Sequence, residues 1–198
     1  MRVSDDRYSR DRTRLDLALR FIQHAARTRT IRTWTGLTDD RIRKLYRSYF
    51  QHPGRASAQR PRGRSPQQAA FFVRSPRLQH EASMLASACD LLGGLARALS
   101  GVERPSVAQG VLLCQSYEAV RMLVPASRIS FEHFVFLAAA LARGDELRLA
   151  ECSACGALLV TERIQLVAPR CVFCAAAASA LSPAARHAPA RAGEIHRR

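Results

Sequence analysis

Apolar positions recur at helical spacing through most of the chain, and polar punctuation cuts that pattern into segments. Residues 1–12 are polar and read as a flexible N-terminus that frays. From Thr13 onward, Leu15, Ala18, Leu19, Ile22 and Ala26 form a stripe with Arg14, Arg20 and Arg27 mostly off it, which predicts a first helix. A second unit follows at 28–50. Gly36 is expected to end a short helix and turn the chain. Thr38 can cap the next helix, with Asp39 and Asp40 complementing its positive end. That helix should reach about Phe50, with Ile42, Leu45, Tyr46 and Tyr49 on its apolar stripe and Arg41, Arg43, Lys44 and Arg47 outward.

Proline, glycine and arginine crowd residues 51–68 and predict a loop, with Phe71-Phe72 packing its end. A long helix is expected over 78–99, on a stripe of Leu85, Ala88, Leu92, Leu95, Ala96 and Leu99, with His80 as a candidate cap at its start. Two more helices are predicted. One covers 107–123 and is stopped by Pro125; the other covers 131–143, capped by Ser130 and ended by Gly144. Beyond them the pattern changes. Leu158-Leu159-Val160-Thr161 and Ile164-Gln165-Leu166-Val167 read as two short strands. The final stretch is rich in Ala, Pro and Arg; it can start as a short helix, and residues 177–198 are expected to be a disordered tail. The predicted fold is mainly α. It has a helical domain at 13–145, a helical bundle with a helix-turn-helix-like N-terminal segment, followed by a C-terminal four-cysteine zinc ribbon at 146–176.

Composition narrows the picture. Hydrophobic residues are 47% of the 198, too many for a disordered chain. The longest apolar run, 131–141, contains Glu132 and His133 and is about half the ~20 residues a membrane-spanning helix needs. No apolar stretch follows Met1-Arg2-Val3-Ser4-Asp5-Asp6, so no secretory signal is read and a cytoplasmic location is expected. Six cysteines in that setting are not expected to form disulfides.

Four of them form two pairs: Cys152-Ser-Ala-Cys155, then fifteen residues beginning with Gly156, then Cys171-Val-Phe-Cys174. A C-x-x-C turn aims two thiolates at one metal, and two such turns at this spacing match a zinc ribbon. Gly156 permits the tight turn because it tolerates positive φ. Reduced core cysteines, redox pairs and an iron–sulfur cluster are the competing readings; two pairs at ribbon spacing favour one zinc. Four thiolates close the shell and leave no position for water, so the site is expected to be structural. Cys89 and Cys114 lie alone on apolar helical faces and read as buried and inert. No histidine stands at metal spacing with another ligand, and no phosphate-cradling loop or deaminase signature is present. An enzyme and a small-molecule substrate are therefore not expected.

The net charge is +15, and residues 1–64 hold 17 basic against 6 acidic residues, +11 of that total. Thirty of the 31 basic residues are arginine; codon bias explains the arginine-to-lysine ratio better than it explains the clustering. Helix, turn and helix at 28–50 suit entry into a DNA major groove, with Thr38, Asp40, Arg41 and Lys44 near the DNA-facing side. The candidate contacts are Thr38, Arg41, Arg43, Lys44 and Arg47, together with Arg55, Arg60, Arg62 and Arg64 in the loop behind, which can track a phosphate backbone. A surface helix with a solvated basic face is the plainer alternative. A module that uses the ribbon to bind protein or RNA, without sequence-specific DNA binding, is the alternative from another class.

One ordered set of short matches bears on that choice. Thr30-Ile31-Arg32-Thr33-Trp34-Thr35-Gly36-Leu37-Thr38, Arg43-Lys44-Leu45-Tyr46, Ser65-Pro66, Phe71-Phe72, Glu81-Ala82-Ser83 and the two cysteine pairs occur in the order seen in FlhC, a subunit family of the bacterial flagellar master transcriptional activator. The chain resembles that family over roughly residues 12–176. The resemblance implies a mostly helical chain with zinc on Cys152, Cys155, Cys171 and Cys174. It further implies an FlhD-type partner in a hetero-oligomer, binding to double-stranded DNA upstream of flagellar promoters, and recruitment of RNA polymerase.

Overall fold

The computed structural model describes residues 2–50, 63, 66–95 and 105–181. Helix α1 (Arg2–Gln23) is longer than its apolar stripe predicts. Residues 2–12, expected to fray, continue it. The local reasons are polar: Thr13 donates from its hydroxyl to the Ser9 carbonyl at 2.9 Å, and Asp11 meets Arg41 of the third helix at 3.2 Å. Leu17, Ala18, Phe21 and Ile22 are its buried residues, so Leu17 and Phe21 belong to the core beside the residues the pattern singled out.

Helix α2 (Thr28–Thr35) and helix α3 (Asp39–Phe50) form the expected pair. Gly36 ends α2 at φ +69°, a conformation that costs a side-chain-bearing residue energy, and returns its N–H to the Arg32 carbonyl. The buried Thr35 hydroxyl donates to Ile31 O at 2.7 Å and accepts from Leu37 N–H at 3.2 Å, which fixes the turn. Thr38 accepts the Arg41 N–H at 3.4 Å, the cap the sequence predicts. Ile31, Leu37 and Ile42 are buried, and the Tyr46 hydroxyl donates to Ala26 O at 3.2 Å. The start of α2 carries no side-chain cap of its own; the buried Glu132, 105 positions away, accepts the Arg27 N–H at 2.8 Å instead.

A 3-10 turn (Ala69–Phe72) buries Phe72 and stacks Phe71 on His133, as an anchor should. Helix α4 (Pro76–Leu91) is capped by Ser75, not His80; Gly94 and Leu95 are helical again, and 96–99 of the expected helix lie outside the described residues. The chain turns at Leu92 and Gly93, where φ is +73°, so the Gly93-Gly94 pair breaks the helix that the leucine stripe predicted to pass through it. Leu92 is exposed for the same reason. Helix α5 (Val107–Leu123) opens with a capping box, Ser106 and Gln109 exchanging bonds. Helix α6 (Phe131–Arg143) is capped by Ser130 and closed by Gly144, as predicted.

Two antiparallel strands follow, β1 (Leu147–Glu151) and β2 (Leu158–Glu162), with Leu149 opposite Val160 and Ala150 opposite Leu159. This corrects the expected strand pairing, not the four-cysteine element itself. Residues 164–167 form no strand; β2 pairs backward with 147–151, and Ile164, Leu166 and Val167 are exposed. Leu147 and Val160 enter the main core, while Leu159 joins a small cluster with Cys152 and Cys171. Helix α7 (Val172–Leu181) covers 177–181, part of the expected tail; 182–198 lie outside the described residues. The fold is thus mainly helical with one two-stranded sheet, and an aromatic core of Phe21, Tyr117, Phe131 and Phe134 at its centre. Among the described residues no helix is long and apolar enough to cross a membrane.

Candidate metal centre and nucleic-acid interface

The sheet turns at the first cysteine pair. Cys152 follows β1 directly; its N–H donates to Ala157 O at 2.8 Å, and its carbonyl accepts from Gly156 N–H at 2.9 Å. Gly156 holds φ +72°, the left-handed conformation the turn requires. The second pair arrives from the loop after β2, and its Cys171 and Cys174 open α7. Ser153 N–H bonds Pro169 O at 2.9 Å and ties one turn to the other.

These constraints bring the four sulfurs within 4.8 Å of one another. Cys155 and Cys171 sulfurs stand 3.8 Å apart, the edge of a tetrahedron whose centre lies about 2.3 Å from each sulfur, the length of a zinc–thiolate bond. Backbone N–H groups also point at sulfur: Cys171 N–H at Cys152 Sγ (3.3 Å) and Cys174 N–H at Cys171 Sγ (3.4 Å). Such donors stabilise thiolate. The Cys171 and Ala154 N–H groups draw the Cys152 thiol down to about 6, while hydrogen bonding from the neighbouring Cys171 and Cys155 sulfurs pushes Cys174 up to about 12. Bare sulfurs this close share protons, and one cation can replace those protons. The donor set and its geometry therefore fit one metal ion.

The other cysteines serve packing. Cys89 and Cys114 are fully buried, and burial pushes their thiols up to about 11 and about 12, which keeps them protonated and unreactive.

The basic candidates divide in two. Thr38, Arg41, Arg43, Lys44 and Arg47 are all exposed on one turn and helix. They are not equally placed. Arg43 is held by Asp40 at 2.7 Å and Arg41 by Asp11 at 3.2 Å, whereas Lys44 and Arg47 make no ion pair among the described residues. Asp39 lies 3.7 Å from Arg32. Arg55, Arg60, Arg62 and Arg64 lie outside the described residues.

Three polar residues of α4 hold the parts together; two of them, Glu81 and Ser83, stand in a stretch singled out above, but sequence reading assigned none of the three a structural role. Ser83 accepts the Val160 N–H at 3.0 Å, and Gln79 donates to Val160 O at 3.0 Å, so α4 satisfies the backbone of β2, the strand between the two cysteine pairs. Buried Glu81 accepts from Arg77, from Ser127 and from the Arg128 N–H, fixing the loop between α5 and α6. A polar residue on an otherwise apolar helical face is the only local signal for any of them.

Fold and site together define a helical protein carrying, around a β-hairpin, a four-cysteine cluster that could hold one metal ion. Compared with known proteins, the chain matches no family model and no curated relative.

Proposed function

We propose that this chain is an FlhC-like, DNA-binding subunit of a transcriptional activator, with one structural zinc on Cys152, Cys155, Cys171 and Cys174. The observation that carries the reading is the α2–α3 unit. Its turn is built by Thr35 and Gly36, its inner face is buried through Ile31, Leu37 and Ile42, and its outer face presents Arg41, Arg43, Lys44 and Arg47. A rigid helix pair with one buried and one basic face can lay its second helix in a major groove. The ordered resemblance to FlhC supports the same reading and supplies the rest of it: an FlhD-type partner, promoter DNA and RNA polymerase. Tetrahedral four-thiolate coordination favours zinc and leaves no open position, so the metal holds the fold and performs no reaction.

The test is charge reversal on the helix. Arg43→Glu with Lys44→Glu sits on exposed side chains and should leave the melting temperature within a few degrees. Binding to a genomic fragment selected by the wild-type chain, with its partner present, should fall by roughly tenfold or more in a gel-shift titration. Equal affinity in the double variant would sink the assignment.

A second reading has its own observation. Ile164, Leu166, Val167 and Phe173 are exposed around the metal-binding element, an apolar group that suits protein contact. A zinc-ribbon interaction module without sequence-specific DNA binding would bind its partner through them. Ile164→Ser with Leu166→Ser separates the readings: that module loses its partner, while DNA affinity stays intact if α3 is the reader.

A further inference from the structure

The long α1 has a stripe whose chemistry changes along its length. Phe21, Leu17 and Ala18 pack into the core. Seven residues back from Leu17 stands Arg10, and seven back from Ala18 stands Asp11. Arg14 and Arg7 stand seven and fourteen residues before Phe21. Seven residues are nearly two full turns, so these charged side chains lie on the same side of α1 as its buried face. The apolar stripe that covers the core thus runs on as a basic one, over about 15 Å of helix from Arg7 to Leu17. Arg7, Arg10 and Arg14 are exposed, and with Tyr8 and Asp11 they line an open hollow of about 600 Å³.

A helix face that points toward the body but carries arginine is not built to pack on an apolar surface; it suits an anion. The Asp11–Arg41 contact at 3.2 Å shows which part of the body lies next to it: the N-terminal turn of α3. At that contact the basic face of α1 meets α3 beside Arg41, and Lys44 and Arg47 follow Arg41 by about one and two turns along the same helix. We propose that the projecting half of α1 is a second wall of the DNA-binding surface. On it, Arg7, Arg10 and Arg14 grip the phosphate backbone beside the groove that α3 enters. The inference rests on the DNA reading of α3 and extends it. An extended polyanion matches this arrangement better than an acidic protein surface does. The arginines repeat along an axis, as phosphates do, and Asp11 anchors the helix to α3 instead of neutralising Arg7 or Arg14.

The experiment compares three full-length chains on a short, labelled random-sequence duplex across a salt series. They are wild type, the Arg7→Ala/Arg10→Ala/Arg14→Ala triple variant, and Arg43→Glu/Lys44→Glu. Alanine favours helix, so α1 should persist, and circular dichroism checks that it does. The triple variant should bind this duplex more weakly than the wild type. Its plot of log affinity against log salt should be shallower by about 2.7, from about 0.9 per lost phosphate contact. Replacing the same three positions with lysine should restore most of the slope. Wild-type affinity and slope in the triple variant, with the α3 variant impaired, would overturn the role of α1 and leave the DNA reading of α3 standing. No salt-dependent binding by the wild type would overturn both. Unchanged DNA binding with lost capture of an acidic protein partner would reassign the stripe to protein contact.

Discussion

The helical body and the four-cysteine element are held by different physics, although one hairpin joins them. The body buries Phe21, Phe72, Phe131 and Phe134 completely, and burial of that many aromatic side chains holds it without help. The cysteine element has a core of only Cys152, Leu159 and Cys171, with Cys174 against it, while Ile164, Leu166 and Val167 face solvent. So small an apolar cluster cannot offset the entropy of ordering two turns and a loop. What the element has in place of apolar mass is four convergent sulfurs. Adjacent residues of one strand mark the boundary: Val160 lies in the body core and Leu159 in the cysteine cluster.

The largest expected effect tests this contrast directly. Metal removal by chelation, or Cys171→Ser, forfeits a binding free energy on the order of 10 kcal/mol. Hydrogen-exchange protection should collapse over residues 152–175 while the helical signal of the body persists. Phe134→Ala is the mirror experiment. It should lower global stability by about 3–5 kcal/mol, yet metal content per chain should not change below the melting transition. If chelation unfolds the body as completely as the element, the two regions do not have separate supports.

A smaller effect probes the seam. Ser83→Ala leaves the Val160 N–H without its acceptor in a buried setting, a loss of about 1–3 kcal/mol. Faster exchange at Val160 and at its neighbours in β2, with α1 to α3 unaltered, is the expected pattern. An unchanged Val160 amide would mean that Ser83 does not hold the strand.

The smallest effect belongs to the body alone and depends on pH. Burial by itself raises the Glu81 carboxyl, but the bonds from Arg77, the Arg128 N–H and Ser127 outweigh it and set the group below its ordinary 4.5. The folded state therefore holds this proton less tightly than the unfolded chain does. The stabilisation is present above pH 4.5 and fades as pH falls through the lowered folded-state value. Glu81→Gln should reduce stability near neutral pH and flatten its decline in acid, read as the urea midpoint against pH. A parallel decline in both proteins would remove Glu81 from the acid response.

Local chemistry explains which parts of this molecule were legible in advance. The cysteine pairs, Gly36, Thr38, Ser130 and Gly144 all act on residues within a few positions, so spacing alone located a cluster of four cysteines, a helix pair and the two ends of α6. Long-range choices were not legible. Either 147–151 or 164–167 can pair with 158–162 by pattern, and the first does so because Leu147, Leu149 and Val160 then share a face against the helices. The turn at Leu92 and Gly93 interrupts the predicted long helix, and Leu95 of the leucine stripe still reaches the core beyond it. The early start of α1 is reinforced by Asp11 meeting a residue 30 positions away.

The sequence by itself determined which four cysteines cluster and the basic outer face of α3, because each is a feature of spacing within one short segment. Only the tertiary structure decided how those pieces are held. Glu132 receives the start of α2, Ser83 receives the strand that follows the first cysteine turn, and Asp11 of α1 meets Arg41 of α3. Each depends on residues far apart in the chain, whose meeting is set by which faces the whole core must bury.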